Sequence, residues 1–300
     1  LRIQKTAGGE EQLSFDNIIL ATGSRPATLP HFPNQSPRVL DSTAALQLNH
    51  IPKTMLVVGG GYIGLELGSV YAALGSQVSV VEMMDGLLPG IDRDLVSPLA
   101  KRMAGICKSI MLNTKVAAVK EEEDGLRVRF EGAEAPAEEQ VYETVLVSVG
   151  RKPNSNIPGL ENTKVEVDSK GFIKVDLQRR TYDPAIFAIG DVAGEPMLAH
   201  KASHEGRVAV EVIAGHKVAF EPQAIPAVVF TDPEIAWCGL TETQAQAENT
   251  PIKVARFHWG ASGRATTLDR SDGVTKLILD PETERVLGVG ITGVGAGELI

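Results

Sequence analysis

The sequence predicts an α/β chain that ends in an α+β unit, and three observations predict it. A short apolar run, Met55-Leu56-Val57-Val58, leads into Gly59-Gly60-Gly61-Tyr62-Ile63-Gly64, then a helical pattern, then a second apolar strand closing at Glu82. Two further apolar runs end in Ala21-Thr22-Gly23-Ser24 and in Gly190-Asp191. Beyond residue 223 the pattern changes to short strands around the turns Thr231-Asp232-Pro233-Glu234 and Asp280-Pro281-Glu282, the mark of an α+β unit. Bulk properties agree. A chain of 300 residues suffices for roughly two compact units. With 43% apolar and 22% charged residues it is neither a disordered chain, a fibre nor a coiled coil. A net charge of −9 argues against nucleic-acid and anionic-membrane partners, which require basic patches. No apolar run reaches the length of about 18 residues that spans a bilayer. Two cysteines, Cys107 and Cys238, cannot make a disulfide framework and fit a reducing compartment such as the cytoplasm.

In chain order, Leu1-Arg2-Ile3 alternates like a strand and turns at Gly8-Gly9. Asn17-Ile18-Ile19-Leu20 reads as a buried strand, and residues 31–50 as a Pro-rich crossing in which Asp41-Ser42 caps a short helix. Met55–Val58 is a strand buried on both faces. The helix Leu65–Leu74 is closed by Gly75, and Gln77–Glu82 is the next strand, so residues 55–82 form one β-α-β unit. A helix over Asp92–Ala104 returns the chain. Val116–Val119, Leu126–Phe130 and Val141–Val149 then read as a β-meander. Ile186–Ile189 is a further strand, and a helix of about 15 residues runs from near Leu198 to Ala214-Gly215. In the last quarter, Val228–Phe230 and Ile235–Trp237 are strands, Thr241-Glu242 opens a helix, and Val274–Leu279 pairs with Val286–Thr292. Gly297-Glu298-Leu299-Ile300 reads as the opening of another helix, and the expectation is a chain cut from a longer one.

The glycines after Val58 carry the chemistry. Gly59-x-Gly61-x-x-Gly64 follows a strand and opens a helix, the context that a dinucleotide fingerprint requires. The first glycine allows the tight turn, the second lets a diphosphate touch the backbone, and the third lets helix and strand pack closely. Amides at the helix start and its dipole attract the phosphate charge. Glu82 stands 18 residues after Gly64; a carboxylate there accepts from both adenine-ribose hydroxyls and repels a 2′-phosphate. Met83-Met84-Asp85 supplies no cation, so the reading is NAD over NADP. The bland alternative is a structural glycine turn with Glu82 merely solvated. Thr22-Gly23 and Gly190-Asp191 also follow strands, where open α/β sheets bind ligands. Asp191 either hydrogen-bonds a polyol or caps its own turn.

Taken in order, Ala21-Thr22-Gly23-Ser24, Gly59–Gly64 with Glu66, Gly150-Arg151-Lys152-Pro153-Asn154 and Gly190-Asp191 resemble the pyridine nucleotide–disulfide oxidoreductases. Leu112-Asn113-Thr114-Lys115-Val116, Phe230–Ala236 and Arg285-Val286-Leu287-Gly288 extend the resemblance over essentially the whole chain. It implies two nested Rossmann-like dinucleotide-binding domains, the FAD part incomplete and the NAD part complete, plus an α+β dimerisation domain. Residues 1–30 and 153–222 would bind FAD, 31–152 would bind NAD, and 223–300 would form the interface of a homodimer. Thr22, Gly23, Asp191, Met197, Leu198, Ala199 and His200 would line FAD. Gly59, Gly61, Tyr62, Ile63, Gly64, Glu82, Val116 and Gly150 would hold NAD, with Glu66 on the fingerprint helix toward the nicotinamide.

The activity implied is transfer of electrons from dihydrolipoamide through a disulfide and FAD to NAD⁺, with the lipoyl domain of a 2-oxoacid dehydrogenase complex as partner. Another disulfide reductase, a transhydrogenase or a non-catalytic NAD-binding module stays open beside it. By the same resemblance, the FAD fingerprint, the redox cysteine pair and a flavin-contacting lysine belong before Leu1, and a His-Pro…Glu element after Ile300. No catalytic residue and no metal ligand is therefore assigned within residues 1–300, and the chain alone is expected to lack lipoamide activity. Cys107 and Cys238, far apart in sequence, read as buried, inert thiols. His200 and His204 share a helix face and are read as packing or flavin-wall residues rather than bases. Phe230, Trp237, Phe257 and Trp259 are read as interface aromatics, with ordinary core positions as the alternative.

Overall fold

The Met55–Val58 run forms a strand, Thr54–Val58, in which four successive residues are buried. Such a run fits only a strand covered on both faces. It lies inside a five-stranded parallel sheet in the order Val39–Leu40, Thr144–Val147, Thr54–Val58, Gln77–Val81, Ser109–Met111. The structure, a computed structural model, describes all 300 residues. The chain divides into two compact units: Leu1–Arg25 with Arg151–Gln223, and Pro26–Gly150 with Ala224–Ile300.

In the second unit the fingerprint helix, Tyr62–Ala73, is the crossover between the strands Thr54–Val58 and Gln77–Val81, which pair in parallel. Gly75 ends it in the left-handed region, φ +104°, as a closing glycine does. Leu65, Leu67 and Tyr71 bury against Met55, Val57, Val78 and Val80. An antiparallel sheet of Gln140–Tyr142, Gly125–Gly132 and Thr114–Glu122 covers the opposite side, with Leu126, Val128 and Phe130 packed near Leu56, Val58 and Val145. Here the expected third meander strand, Val141–Val149, is corrected. Only Gln140–Tyr142 joins the meander. Thr144–Val147 is buried throughout and crosses into the parallel sheet beside Thr54–Val58, because four consecutive buried side chains cannot sit on a sheet with one wet face.

The last quarter forms a five-stranded antiparallel sheet in the order Ala227–Val229, Glu234–Gly239, Val286–Gly293, Val274–Leu279, Lys253–His258. The helix Arg93–Ile106 lies against it: Leu95 fills the space that a Cβ on Gly290 would take, 2.4 Å from its Cδ1, and the Thr292 hydroxyl donates to Leu95 O at 2.7 Å. Glu242–Glu248 starts with a full capping box from Thr241 and Gln244. Trp237 and Trp259 pack against buried clusters, whereas Phe230 (68%) and Phe257 (51%) are exposed.

The first unit holds a hairpin, Arg2–Gln4 with Glu10–Gln12. It also holds a parallel pair, Ile18–Leu20 with Ile186–Ala188, and the helix Ala199–Ile213. Ile186–Ala188 is buried, but Ile18–Leu20 is half-buried, not buried as expected, since it pairs with one strand only. No helix is long and apolar enough to cross a membrane.

Candidate dinucleotide site

Open parallel sheets bind ligands beyond the carboxyl ends of their strands. In the second unit three central strands end at Val58, Val81 and Val147, and the residues just beyond them, Gly59, Glu82 and Ser148, border one cavity of about 520 Å³. Gly61, Tyr62, Ile63, Val116 and Gly150 line it too, so most of the fingerprint residues and both outlying expectations converge. Gly64 and Glu66 are not on its wall. Sequence reasoning missed Leu29, His31, Thr114, Lys115 and Ser148, which also line it. Ser148 was within reach of the strand-end rule. Leu29 and His31 come from a Pro-rich segment with no motif to mark them.

The three glycines differ physically. Gly59 has φ +106°, and a Cβ on it would lie 2.6 Å from Ser148 O. A Cβ on Gly64 would lie 2.2 Å from Gly59 O and 2.6 Å from Ser148 Oγ. A Cβ on Gly61 would meet nothing within 4 Å. The first and third glycines therefore serve chain packing, and the second keeps its backbone bare toward the cavity. Gly61 is also the N-cap of the fingerprint helix, with no side-chain cap and no acidic residue in the first turn. The positive end of a 12-residue helix thus meets the cavity without an internal carboxylate, a fit to an anionic diphosphate.

Glu82 is 92% buried in place, with 8% exposure. Its Oε2 accepts from Gly60 N at 2.6 Å and its Oε1 from Met84 N at 2.8 Å. A carboxylate offers about four acceptor directions, so two amide bonds leave capacity for ribose hydroxyls. The sequence assigned Glu82 to the ribose; the structure adds that it also ties the glycine loop to its own strand end. Glu66 points elsewhere: its Oε1 accepts from Phe230 N at 2.8 Å. Burial pushes its carboxyl above the ordinary value, partly countered by that bond.

In the first unit, Thr22-Gly23 and Gly190-Asp191 follow paired strands in register, Leu20 opposite Ala188. Ser24 Oγ donates to Asp191 Oδ2 at 2.5 Å, and Arg151 Nε donates to Ser24 Oγ at 2.7 Å. Thr22 Oγ1 donates to Asn154 O at 2.8 Å. Gly23, φ +68°, has open space where a Cβ would stand, and Leu198 begins the helix Ala199–Ile213 without a side-chain cap. Met197 and Leu198 are half-buried. Ala199, His200 and His204 are exposed, which corrects the packing role expected of the two histidines. A signal the sequence hid is Glu205, fully buried. It accepts from Gly190 N at 2.7 Å and from Arg179 Nη1 at 2.9 Å, with Lys201 Nζ at 3.1 Å. It fixes the turn that presents Asp191.

Among known proteins, a family model described as pyridine nucleotide-disulphide oxidoreductase matches residues 1–206. The chain belongs to this family. Its dimerisation-domain model matches residues 225–300. Members of the family use FAD and NAD. Curated relatives named dihydrolipoyl dehydrogenase include those of Vibrio parahaemolyticus, 52% identical over 98% of this chain and 62% of the relative, and of Vibrio cholerae, 51% identical over 97% and 61%. The chain thus spans about 60% of the length of these relatives. Among solved structures, LpdA of Mycobacterium tuberculosis matches with TM-score 0.89 at 27% identity, over 100% of this chain and 64% of that one. The HOCl-induced flavoprotein disulfide reductase RclA of Escherichia coli matches with 0.88 at 28%, over 99% and 67%.

A second charged cluster lies apart from the cavity. Asp92, Asp94 and Glu242 bring their oxygens within 4.8 Å of one another, a spacing that suits a cation. Lys276 Nζ occupies that place, donating to Asp92 and Asp94 at 2.6 Å and to Glu242 at 2.9 Å. All three ammonium protons are used, so the group is an ion-pair knot rather than a metal centre.

Proposed function

We propose that the chain is the NAD-binding and interface part, with a portion of the FAD-binding part, of a dihydrolipoyl dehydrogenase, which oxidises dihydrolipoamide to the cyclic disulfide and reduces NAD⁺. The observation that carries the reading is the cavity where the bare Gly61 backbone, an uncapped helix start and the Glu82 carboxylate face the same space. Gly59, Gly61, Tyr62 and Ile63 meet the diphosphate, Glu82 grips the adenosine ribose, and Val116 and Gly150 wall the site. Gly64 acts from behind by letting the helix pack on its strand, and the nicotinamide role expected of Glu66 is not carried over, since its carboxylate is engaged by Phe230 N. Thr22, Gly23, Asp191, Met197, Leu198, Ala199 and His200 hold part of FAD. Bound FAD supplies the two-electron relay between the dithiol and the nicotinamide. The chain's own residues bind and orient: backbone amides meet the diphosphate, and Glu82 rejects a 2′-phosphate by charge repulsion.

The domain reading that goes with it assigns 1–30 and 153–222 to FAD, 31–152 to NAD and 223–300 to a homodimer interface, in a cytoplasmic enzyme that serves a lipoyl domain. The match of residues 225–300 to a dimerisation domain supports the last assignment. Fluorescence titration of the chain with NADH and NADPH tests the core of the proposal. NADH should bind at least about tenfold tighter, because one well-placed charge repulsion suffices for that ratio. Equal or tighter NADPH binding would remove the Glu82 assignment, and absence of NADH binding would remove the function.

A further inference from the structure

Arg93 opens the helix Arg93–Ile106 but turns its guanidinium back onto the loop before it. Nε donates to Ile91 O at 3.0 Å, Nη1 to Leu87 O at 2.7 Å, and Nη2 to Leu88 O and Ile91 O at 2.6 Å each. The loop it grips is strained: Leu88 has φ +49°, a conformation that a residue with a Cβ disfavours by about 1–2 kcal/mol. Such strain persists only where the surroundings over-determine it. Leu88 N donates to Gly60 O at 2.8 Å, inside the fingerprint, and Leu87 fills the space beside Gly60, 2.8 Å from where a Cβ would stand. The same stretch supplies Met83 and Pro89 to the cavity wall. Next to Arg93, Asp92 is held by Lys276 Nζ and by the amides of Glu242 and Thr243, at 2.6–3.1 Å.

We propose that Arg93 is a positioning residue for the dinucleotide cavity: its planar fork holds the 87–91 loop against Gly60, while Asp92 anchors the base of that loop to the C-terminal sheet. The inference rests on the NAD reading of the cavity. A lysine in its place offers a point charge instead of a fork and cannot span three carbonyls.

The test uses the 300-residue chain and two independent readouts. The first is hydrogen exchange at the Leu88 amide without dinucleotide, and the second is the NADH dissociation constant measured well below the thermal midpoint. Arg93→Ala should speed Leu88 exchange and raise the NADH dissociation constant, each by about tenfold, the scale of one or two lost charged hydrogen bonds. Arg93→Lys should fall between, and millimolar methylguanidinium should restore NADH affinity to Arg93→Ala alone. NADH affinity within about twofold of wild type in Arg93→Ala overturns the positioning role, whether or not exchange accelerates. Unchanged Leu88 exchange overturns the clamp itself. If the unsubstituted chain fails to bind NADH, the function reading falls, and the exchange comparison still decides whether Arg93 holds the loop.

Discussion

At the scale of single residues, the fingerprint glycines make opposite predictions although the sequence writes them alike. Gly64→Ala places a methyl 2.2 Å from Gly59 O and 2.6 Å from Ser148 Oγ, so the helix must move off its strand. Urea unfolding should show a loss of about 1–3 kcal/mol, the usual cost of overpacking. Gly61→Ala meets nothing within 4 Å at an ordinary φ of −77°. Its stability should stay within about 0.5–1 kcal/mol of wild type, while NADH affinity falls by about tenfold or more as the methyl displaces the diphosphate. If both variants lose stability equally, the division of labour is wrong. Cys107 gives a second residue-scale prediction. It is half-buried, not fully buried, and burial pushes its thiol up to about 11 from 9.0. Its thiolate fraction at pH 8 is thus about a hundredfold below that of an exposed cysteine, and its alkylation rate should keep rising about tenfold per pH unit past pH 9, where an exposed cysteine levels off, and level off only near 11. Fast alkylation at pH 8 would contradict the burial.

At the scale of elements, the Asp92–Asp94–Glu242–Lys276 knot joins the start of one helix to the start of another and to a strand. Burial alone would raise the Asp92 and Asp94 carboxyls, but Lys276 and the other donors hold both below their ordinary 3.8. Burial alone would lower Lys276, but the three carboxylates hold it above 10.5. The signs set the window. The lowered carboxylates stabilise fully above their ordinary value, and this is lost as the pH falls through the lowered values. The raised lysine stabilises fully below its ordinary value, and this is lost as the pH rises through the raised one. Stability should therefore be flat across neutral pH and fall at both ends. Lys276→Met, which strands the buried Asp92 carboxylate, should cost roughly 3–5 kcal/mol at pH 7 and abolish the alkaline fall seen by thermal melting. An unchanged alkaline limb would show that Lys276 is not its source.

The knot also marks what periodicity conceals. The β-α-β unit was legible because glycine spacing and apolar runs are local signals, and Asp41, Gly75 and Thr241 announced their helix ends in the same way. Asp92 was legible only as a helix start. Its partner Lys276 lies 184 positions away, a pairing that no local pattern encodes. Thr144–Val147 was misassigned to the meander for the related reason that a buried apolar run does not say which sheet buries it.

At the scale of the whole molecule, the two units differ in what stabilises them. The second has two broad cores, one around Met55, Leu65 and Leu99 and one around Leu56, Leu126 and Val145. The first has only small clusters around Ile173 and Ala188 and around Phe187 and Ala209. Its parallel strand pair has one half-buried strand, Ile18–Leu20. Less buried apolar area means less stabilisation per residue. Residues 1–25 and 151–223 should therefore exchange amides at lower urea than the parallel sheet. Dinucleotide linkage sharpens the contrast. NADH at a hundred times its dissociation constant stabilises whatever binds it by about 2.7 kcal/mol. If the cavity at Gly59–Gly64 is the site, that protection appears in Thr54–Val58, Gln77–Val81 and Thr144–Val147 and is absent from Ile186–Ala188. Equal protection of both units would mean that they unfold as one, and protection confined to residues 151–223 would place the dinucleotide on the wrong unit altogether.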